Sequence, residues 1–164
     1  MTISMYAASV PVFQQMLGGL SGVLRKAEAH AAERKIEPNA LLQARLYPDM
    51  FPLLRQVQVA ADFAKGCCAR LAGEDVPRYE DTEETFADLR ERVGRTLAFI
   101  SSLPQDGIEA SAQRDITTSA RQFKGQDYLL HYAMPHFYFH ATTAYAILRH
   151  NGVEIGKKDF IGSF

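Results

Sequence analysis

The sequence predicts an all-α fold, a four-helix bundle with a short irregular or hairpin crossover before the last helix. Three observations support this prediction. Apolar residues recur at three- and four-residue steps over most of the 164-residue chain. Proline, glycine and Asn-Gly steps divide this pattern into four long segments. The stretch at 108–124 loses the helical period just before the last segment.

The length and composition indicate one globular domain, residues 1–164. Apolar residues make up 47% of the chain and charged residues 23%, which is ordinary for a protein with a single core. The formal net charge of -1 gives no sign of the basic face that nucleic-acid binding usually needs, so no nucleic-acid partner is expected. A secretory signal and a run of about 18 apolar residues are both missing, so neither export nor a membrane span is expected. We therefore expect a cytoplasmic protein.

The first long helix is predicted from about Ser4 to Glu33. Gly18, Gly19 and Gly22 lie in its middle. Because glycine has no side chain, we expect another part of the backbone to approach this helix closely there.

A short turn or helix at 38–44 precedes the second long helix. Pro48 suits the first turn of that helix, and Gly73 suits its C-terminal end. The apolar stripe between them keeps the helical period and contains Met50, Leu53, Leu54, Val57, Ala61, Ala64 and Leu71.

The third helix follows the polar loop GEDVPRYED. Asp81 and Glu84 approximate a capping box at its start. Its basic residues, among them Arg92, alternate with Glu91 and Asp88, and this pattern is typical of a solvated helix face. The helix is expected to end before the Pro-rich and Gly-containing stretch at 104–107.

The crossover and the last helix complete the predicted fold. β-Branched and aromatic residues at 116–123 could form a short hairpin or an irregular crossover. A turn is expected at 127–132, followed by the last helix at 135–150, which Asn151-Gly152 closes.

The principal candidate site is the stretch HYAMPHFYFH, residues 131–140. Pro135 is a favourable first helical residue, so His136 lies in the first turn and His140 one turn later on the same face. We expect both imidazoles to point toward or along the bundle interior. The positive end of the helix dipole favours a neutral imidazole at position 136. Two neutral imidazoles on one face could chelate a divalent ion such as zinc, nickel or iron.

The remaining ligands of such a metal are open. A catalytic zinc site normally has three protein ligands, and the predicted second and third helices contain no histidine. The candidates for the third ligand are Asp49, Gln56, Asp62 and His131. Asp49 would complete the two-histidine, one-carboxylate set of non-haem iron, whereas Gln56 would be a poor zinc ligand. Without a third ligand, the two histidines are polar side chains that line a pocket and form hydrogen bonds.

Two further groups of residues have simpler interpretations. Cys67 and Cys68 are adjacent near a helix C-terminus, which favours reduced, structural thiols. The last helix has more aromatic residues than one core can absorb, so some are expected to cover a partner subunit. One of these aromatic residues, Tyr145, is a further candidate for lining the pocket.

The order of elements and the last helix together resemble the DinB-like (YfiT-like) superfamily of metalloenzymes, and within it a bacterial family of domains of unknown function. The resemblance covers nearly the whole chain, with its most telling stretches at LYPDMFPLLRQVQVAADFAKG (46–66) and KGQDYLLHYAMPHFYFHATTAYAILRHNGVEIGKKDFIG (124–162). Members are four-helix bundles, commonly dimeric, whose metal is held by a histidine of the second helix and an H-x-x-x-H pair of the last. His136 and His140 match that pair, while Gln56 or Asp49 lies near the place of the missing histidine.

The resemblance implies two alternative functions. In the first, the chain is a homodimeric small-molecule-binding or stress-associated protein with a degenerate metal site. In the second, it is a metal- or thiol-dependent transferase or hydrolase that uses a pocket between the second and last helices, since relatives include thiol-dependent transferases and an isomerase that uses a low-molecular-weight thiol. In either case the pocket candidates are Asp49, Gln56, His131 and Tyr145.

Overall fold

The computed structural model of the protein describes residues 3–119 and 121–163. Residues 1, 2, 120 and 164 of the predicted domain lie outside the described residues. The predicted helical class is confirmed. The described elements are, in chain order, α1 (Val10–Arg34), α2 (Pro38–Leu42), α3 (Leu53–Ala72), α4 (Phe86–Ser102), α5 (Gln105–Glu109), β1 (Asp115–Thr117), β2 (Gln122–Lys124), α6 (Gly125–Asp127), a π-helical segment (Tyr128–Ala133), α7 (Met134–His150) and α8 (Lys157–Ile161). No helix in these ranges is long and apolar enough to cross a membrane.

The four longest helices of the described residues, α1, α3, α4 and α7, contribute to one hydrophobic core. Helix α3 packs against α4 and α7, and α1 packs against the same two helices. Each fully buried leucine or phenylalanine contributes about 1.5–3 kcal/mol of transfer free energy. The largest fully buried aromatic and aliphatic side chains of the described residues are Phe13, Leu17, Leu24, Leu42, Leu53, Leu71, Phe86, Leu89, Ile100, Tyr128 and Phe137.

Helix α1 begins at Val10, so the predicted start near Ser4 is wrong. The Ser9 hydroxyl donates a 2.7 Å bond to the Met5 carbonyl in the turns that precede the helix. The predicted close approach occurs at Gly19, where a Cβ atom would lie 2.5 Å from the backbone oxygen of Phe160. A side chain at Gly19 would therefore push α8 away from α1.

Helix α3 begins at Leu53 rather than near Pro48. Pro52 is its N-cap with an extended backbone, φ −68° and ψ 164°. A residue that precedes proline disfavours the α conformation, so Phe51 interrupts any helix that starts at Pro48. The C-terminal prediction is confirmed, because Gly73 adopts φ 79° and caps the helix.

Helix α4 is capped by Thr85 and Asp88, not by the predicted pair Asp81 and Glu84. The Thr85 hydroxyl accepts a 3.1 Å bond from the Asp88 amide, and the Asp88 carboxylate accepts a 2.9 Å bond from the Thr85 amide. Helix α4 therefore begins at Phe86, one residue after the threonine of this capping box.

The crossover contains a hairpin, one of the two predicted alternatives. Strands β1 and β2 pair antiparallel with Ile116 opposite Phe123. The predicted turn at 127–132 is wrong, because α6, the π-helical segment and α7 follow one another without a break. Pro135 has no backbone N–H and therefore cannot form the usual helical hydrogen bond to the carbonyl one turn before it. The π-helical turn that precedes Pro135 is wider than an α-helical turn and makes room for the proline ring.

Candidate functional site

Helices α3 and α7 bring Gln56 and His140 together in a buried position. The Nδ1 atom of His140 lies 2.7 Å from Oε1 of Gln56. The amide nitrogen of Gln56 donates a 3.1 Å bond to the Phe51 carbonyl, so its oxygen faces the imidazole. Since an amide oxygen only accepts, Nδ1 of His140 carries the proton and Nε2 is left as a hydrogen-bond acceptor.

His140 is only 9% exposed, and its surroundings favour the neutral imidazole. Burial lowers the pKa of His140 below the ordinary value of 6.5, and the nearby His136 and Arg55 lower it further. At neutral pH this side chain is therefore an uncharged acceptor in a fixed orientation.

His136 occupies a different environment from the one predicted. Its side chain is exposed, so the expectation that both histidines point toward the interior is wrong for this residue. Its Nδ1 atom lies 2.7 Å from the Tyr132 carbonyl, which can only accept, so Nδ1 again carries a proton. Because the chain is helical through Tyr132, His136 does not lie at a free helix N-terminus, and the dipole argument fails.

Phe63 joins the two histidines, and its role was missed in the sequence. Its ring stacks on His136 with centroids 4.7 Å apart and on His140 at 6.0 Å. Residues seven apart share a helix face, so Phe63 lies two turns beyond Gln56 on the same side of α3. We call the set Gln56, Phe63, His136 and His140 the histidine site.

The other sequence candidates are not part of the histidine site. Asp49 is exposed in the turn before α3, and His131 is exposed on the π-helical segment. The Tyr145 hydroxyl donates a 3.4 Å bond to the Ile155 carbonyl, and its ring packs against Phe160 of α8. Asp62 binds Lys65 and Arg92 through one oxygen, at 2.9 and 3.0 Å.

The residues present do not fit a three-ligand metal site. Within 3–119 and 121–163, no three histidine, cysteine, aspartate or glutamate side chains are grouped closely enough to hold a metal ion. The neutral amide of Gln56 stands beside His140, and a neutral amide is a poor zinc ligand. The histidine site is therefore organised by hydrogen bonds to Gln56 and Tyr132.

Cys67 and Cys68 are buried in the core, in agreement with the predicted structural role. Burial and the neighbouring Cys68 raise the pKa of Cys67 well above its usual range. Burial raises the pKa of Cys68 to about 12. Both thiols therefore stay protonated at neutral pH and are poor nucleophiles.

A cavity of about 200 Å³ adjoins the histidine site and shares the Phe63 ring with it. Aromatic rings continue from the histidine site into this cavity. The Tyr132 ring centroid lies 4.4 Å from that of His136 and 5.8 Å from that of Tyr128. We call it the aromatic cavity, and its lining consists of Asp62, Phe63, Arg70, Thr118, Ser119, Tyr128 and Tyr132.

Comparison with known proteins places this fold in a family. Residues 5–161 match the model of a domain of unknown function, DUF1993. The chain is 40% identical to a DinB family member protein from Shewanella denitrificans, whose crystal structure superposes with a TM-score of 0.92. That match covers 97% of this chain and 92% of the other. No curated protein matches the chain.

The match spans α1 to α8 and therefore includes both helices of the histidine site. The suspected resemblance to DinB-like proteins is confirmed by the identity and coverage of the Shewanella denitrificans protein. This chain belongs to the DUF1993 family and is a DinB-like protein.

Proposed function

We propose that this chain is a homodimeric, DinB-like four-helix bundle, residues 1–164, that binds a small molecule at the histidine site and the aromatic cavity without a catalytic metal. One observation carries the proposal: the buried 2.7 Å hydrogen bond between Gln56 and His140. Gln56 fixes the orientation and the tautomer of His140 through this hydrogen bond. In metal sites, residues that hydrogen-bond to a ligating histidine act in the same way, but here the imidazole is oriented without a metal.

The electrostatics of the site support the binding of a ligand that has a hydrogen-bond donor. The lowered pKa of His140 keeps its imidazole neutral, and Nε2 offers a fixed acceptor for a donor group of a ligand. Cys67 and Cys68 are protonated at neutral pH, so neither supplies a thiolate nucleophile for a thiol-dependent transfer reaction. A pocket with aromatic walls and a few oriented polar groups is typical of small-molecule sites.

Exposed apolar side chains near this site support the dimer. Phe51 is 50% exposed, and its carbonyl holds Gln56. Phe139 is 56% exposed, and its ring contacts His140 with centroids 5.2 Å apart. Tyr47 and Leu46 are exposed in the same turn region as Phe51. Large exposed rings of this kind are typical of an interface, and we assign them to a second copy of the chain.

Metal analysis of the untagged protein tests the central proposal. We expect no stoichiometric zinc, nickel or iron, even after incubation with excess divalent ions, in the wild type and in His140→Ala alike. Gln56→His adds a third imidazole and is expected to gain metal, which shows that the assay detects a completed site. Stoichiometric metal in the wild type that is lost in His140→Ala would establish the alternative, a metal-dependent enzyme.

Nitrogen-15 NMR of the histidine rings tests the hydrogen-bond argument. We expect the spectrum of a neutral imidazole protonated at Nδ1 for His140, and a change of tautomer population in Gln56→Met.

Sedimentation tests the dimer. Phe139→Lys should dissociate the dimer at micromolar concentration, and a monomeric wild type would contradict the proposed dimer. The stress-associated role stays a prediction.

A further inference from the structure

We infer that the aromatic cavity binds a small aromatic carboxylate, with the carboxylate held by Arg70 and Tyr128 and the ring lying against Phe63 and Tyr132. This inference deepens the proposed function and rests on it, since it names the ligand class of that same region. Four features of the cavity carry it.

The first feature is a guanidinium without an acidic partner. Arg70 is half-buried on α3 and, among the described residues, forms no ion pair. Its Nη1 donates a 3.0 Å bond to the Gly66 carbonyl and a 3.2 Å bond to the Tyr128 hydroxyl. These two bonds use one of the three guanidinium nitrogens, so the planar fork keeps donors for a carboxylate.

The second feature is the local fold that holds Arg70 in place. A Cβ atom on Gly66 would lie 2.6 Å from Nη1 of Arg70, so the absence of a side chain at Gly66 makes room for the guanidinium. Arg70 is therefore held against its own helix with its end directed to Tyr128. An arginine that is already ordered loses less conformational entropy when it binds a ligand.

The third feature is a second donor beside the guanidinium. The Tyr128 hydroxyl accepts its bond from Arg70 and, within the part of the chain that the structure describes, donates none. Its own proton is therefore available, and residue Tyr128 is only 1% exposed. An Arg donor and a Tyr donor that meet at one point suit the two oxygens of a carboxylate.

The fourth feature is the charge balance of the cavity. Asp62 also lines it, but one oxygen of Asp62 binds both Lys65 and Arg92. In the wider network Arg55, Lys65 and Arg92 pair with Asp62, Asp81 and Glu83, so three cations balance three carboxylates. Arg70, in contrast, has no counter-charge among the described residues. The cavity consequently favours an anion over a cation.

Size and shape narrow the ligand to a single ring. A volume of about 200 Å³ lies below the roughly 300–1,000 Å³ of sites for drug-sized ligands. Phe63 and Tyr132 lie with ring centroids 6.0 Å apart, in the range of aromatic packing. A benzoate-sized ring could lie against these rings while its carboxylate reaches Arg70.

Calorimetric or NMR titration with benzoate tests the inference, with benzamide as the neutral analogue of the same shape and benzylamine as the cation. We expect benzoate to bind about tenfold more tightly than benzamide, because it adds charge-assisted hydrogen bonds. Arg70→Gln should remove that preference, and Tyr128→Phe should weaken benzoate while leaving benzamide within about twofold. Arg149→Gln, an exposed change on α7, serves as the matched control and should leave all three affinities unchanged.

The outcomes separate the two proposals. If benzamide or benzylamine binds as well as benzoate, or if Tyr128→Phe and Arg70→Gln both leave benzoate binding intact, the carboxylate class is wrong and the small-molecule role stands. If benzoate binds as expected to a protein with stoichiometric metal, the metal-free role is wrong and the ligand class stands. Circular dichroism on each variant confirms its fold, and Tyr128→Phe provides the test if Arg70→Gln does not fold.

Discussion

Helix α3 carries two buried polar regions on different sides, and they are built in opposite ways. Toward α4, the fully buried side chain of Arg92 binds Asp62 and Asp81 at 3.0 Å and Glu83 at 2.9 Å. We call this the ionic network. Toward α7, the histidine site depends on one neutral 2.7 Å bond between Gln56 and His140. The first region is charged, and its groups form several ion pairs. The second region is neutral, and Nε2 of His140 remains as a hydrogen-bond acceptor.

The difference shows which buried polar groups hold the fold and which are available to a ligand. The ionic network fastens the irregular loop at 73–85 onto α3 and α4, and Tyr79 of that loop covers it, with Lys65 Nζ 3.8 Å from the ring centroid. Its charges face one another, so a ligand would have to break them. At the histidine site, Nε2 of His140 can bind a ligand without breaking any bond described above.

Breaking the ionic network should have the largest effect. Arg92→Leu leaves Glu83, which is 6% exposed, as a buried carboxylate without its cation. We expect the free energy of unfolding to fall by about 3 kcal/mol, the lower end for a broken buried pair, because Asp62 and Asp81 stay partly hydrated. For a chain of this size that corresponds to a melting temperature lower by roughly 6–12 °C. Denaturant titration and calorimetry measure both quantities.

Arg95→Leu is the matched control for that change. Arg95 lies on the same helix, is exposed and contacts the Tyr79 ring at 4.4 Å. We expect it to lose about 0.5–1 kcal/mol, the usual value of an exposed cation–π contact. If Arg92→Leu and Arg95→Leu lower the free energy of unfolding equally, the ionic network does not hold the loop.

Arg92 also shows what sequence could not reveal. Its alternation with Glu91 and Asp88 predicted a solvated face, yet its side chain is completely buried. The acids that bury it come from α3 and from the irregular loop, and their approach depends on tertiary packing rather than on spacing. Helical spacing did predict the long helices, and Gly73 predicted the end of α3, because both are local properties.

The histidine site divides in the same way. The H-x-x-x-H spacing predicted two interior histidines on the last helix, and His140 is buried there. Gln56 was predicted as a third metal ligand or a pocket residue, and it lies beside His140 as a hydrogen-bond partner. The exposed position of His136 could not be predicted from its spacing, because residues four apart share a helix face but the spacing does not show what that face packs against. The seven-residue spacing of Gln56 and Phe63 was a signal for the aromatic contribution of α3, but a phenylalanine at that spacing is ordinarily core.

Breaking the neutral hydrogen bond should have an intermediate effect. Gln56→Met keeps the side-chain volume but leaves the Nδ1 proton of His140 and the Phe51 carbonyl without partners. We expect a loss of about 1–2 kcal/mol in the free energy of unfolding, the usual cost of an unsatisfied buried group. Gln14→Met, which removes an exposed 2.8 Å bond to Ser101, should cost well under 1 kcal/mol. If Gln56→Met costs more than Arg92→Leu, the contrast between the two regions is wrong.

Titration of His140 should have the smallest effect, and its sign follows from the lowered pKa of this imidazole. Below the ordinary histidine value of 6.5, the unfolded chain binds a proton at this position before the folded chain does. The free energy of unfolding therefore falls as the pH drops below about 6.5, and the loss is complete once the pH is below the folded pKa. Above 6.5 both states are neutral, so this group contributes no pH dependence there.

The contribution of His140 is the difference between wild type and His140→Gln, because the carboxylates titrate in both proteins and cancel. The difference in the free energy of unfolding should change by at most about 1.4 kcal/mol per pH unit. The wild type should lose stability relative to His140→Gln as the pH falls. His150→Gln, an exposed change in the last turn of α7, should leave the wild-type slope in place. A wild type that becomes more stable as the pH falls from 7.5 to 5.5, relative to His140→Gln, would mean that His140 is buried as imidazolium. The neutral acceptor assigned to the histidine site would then be wrong.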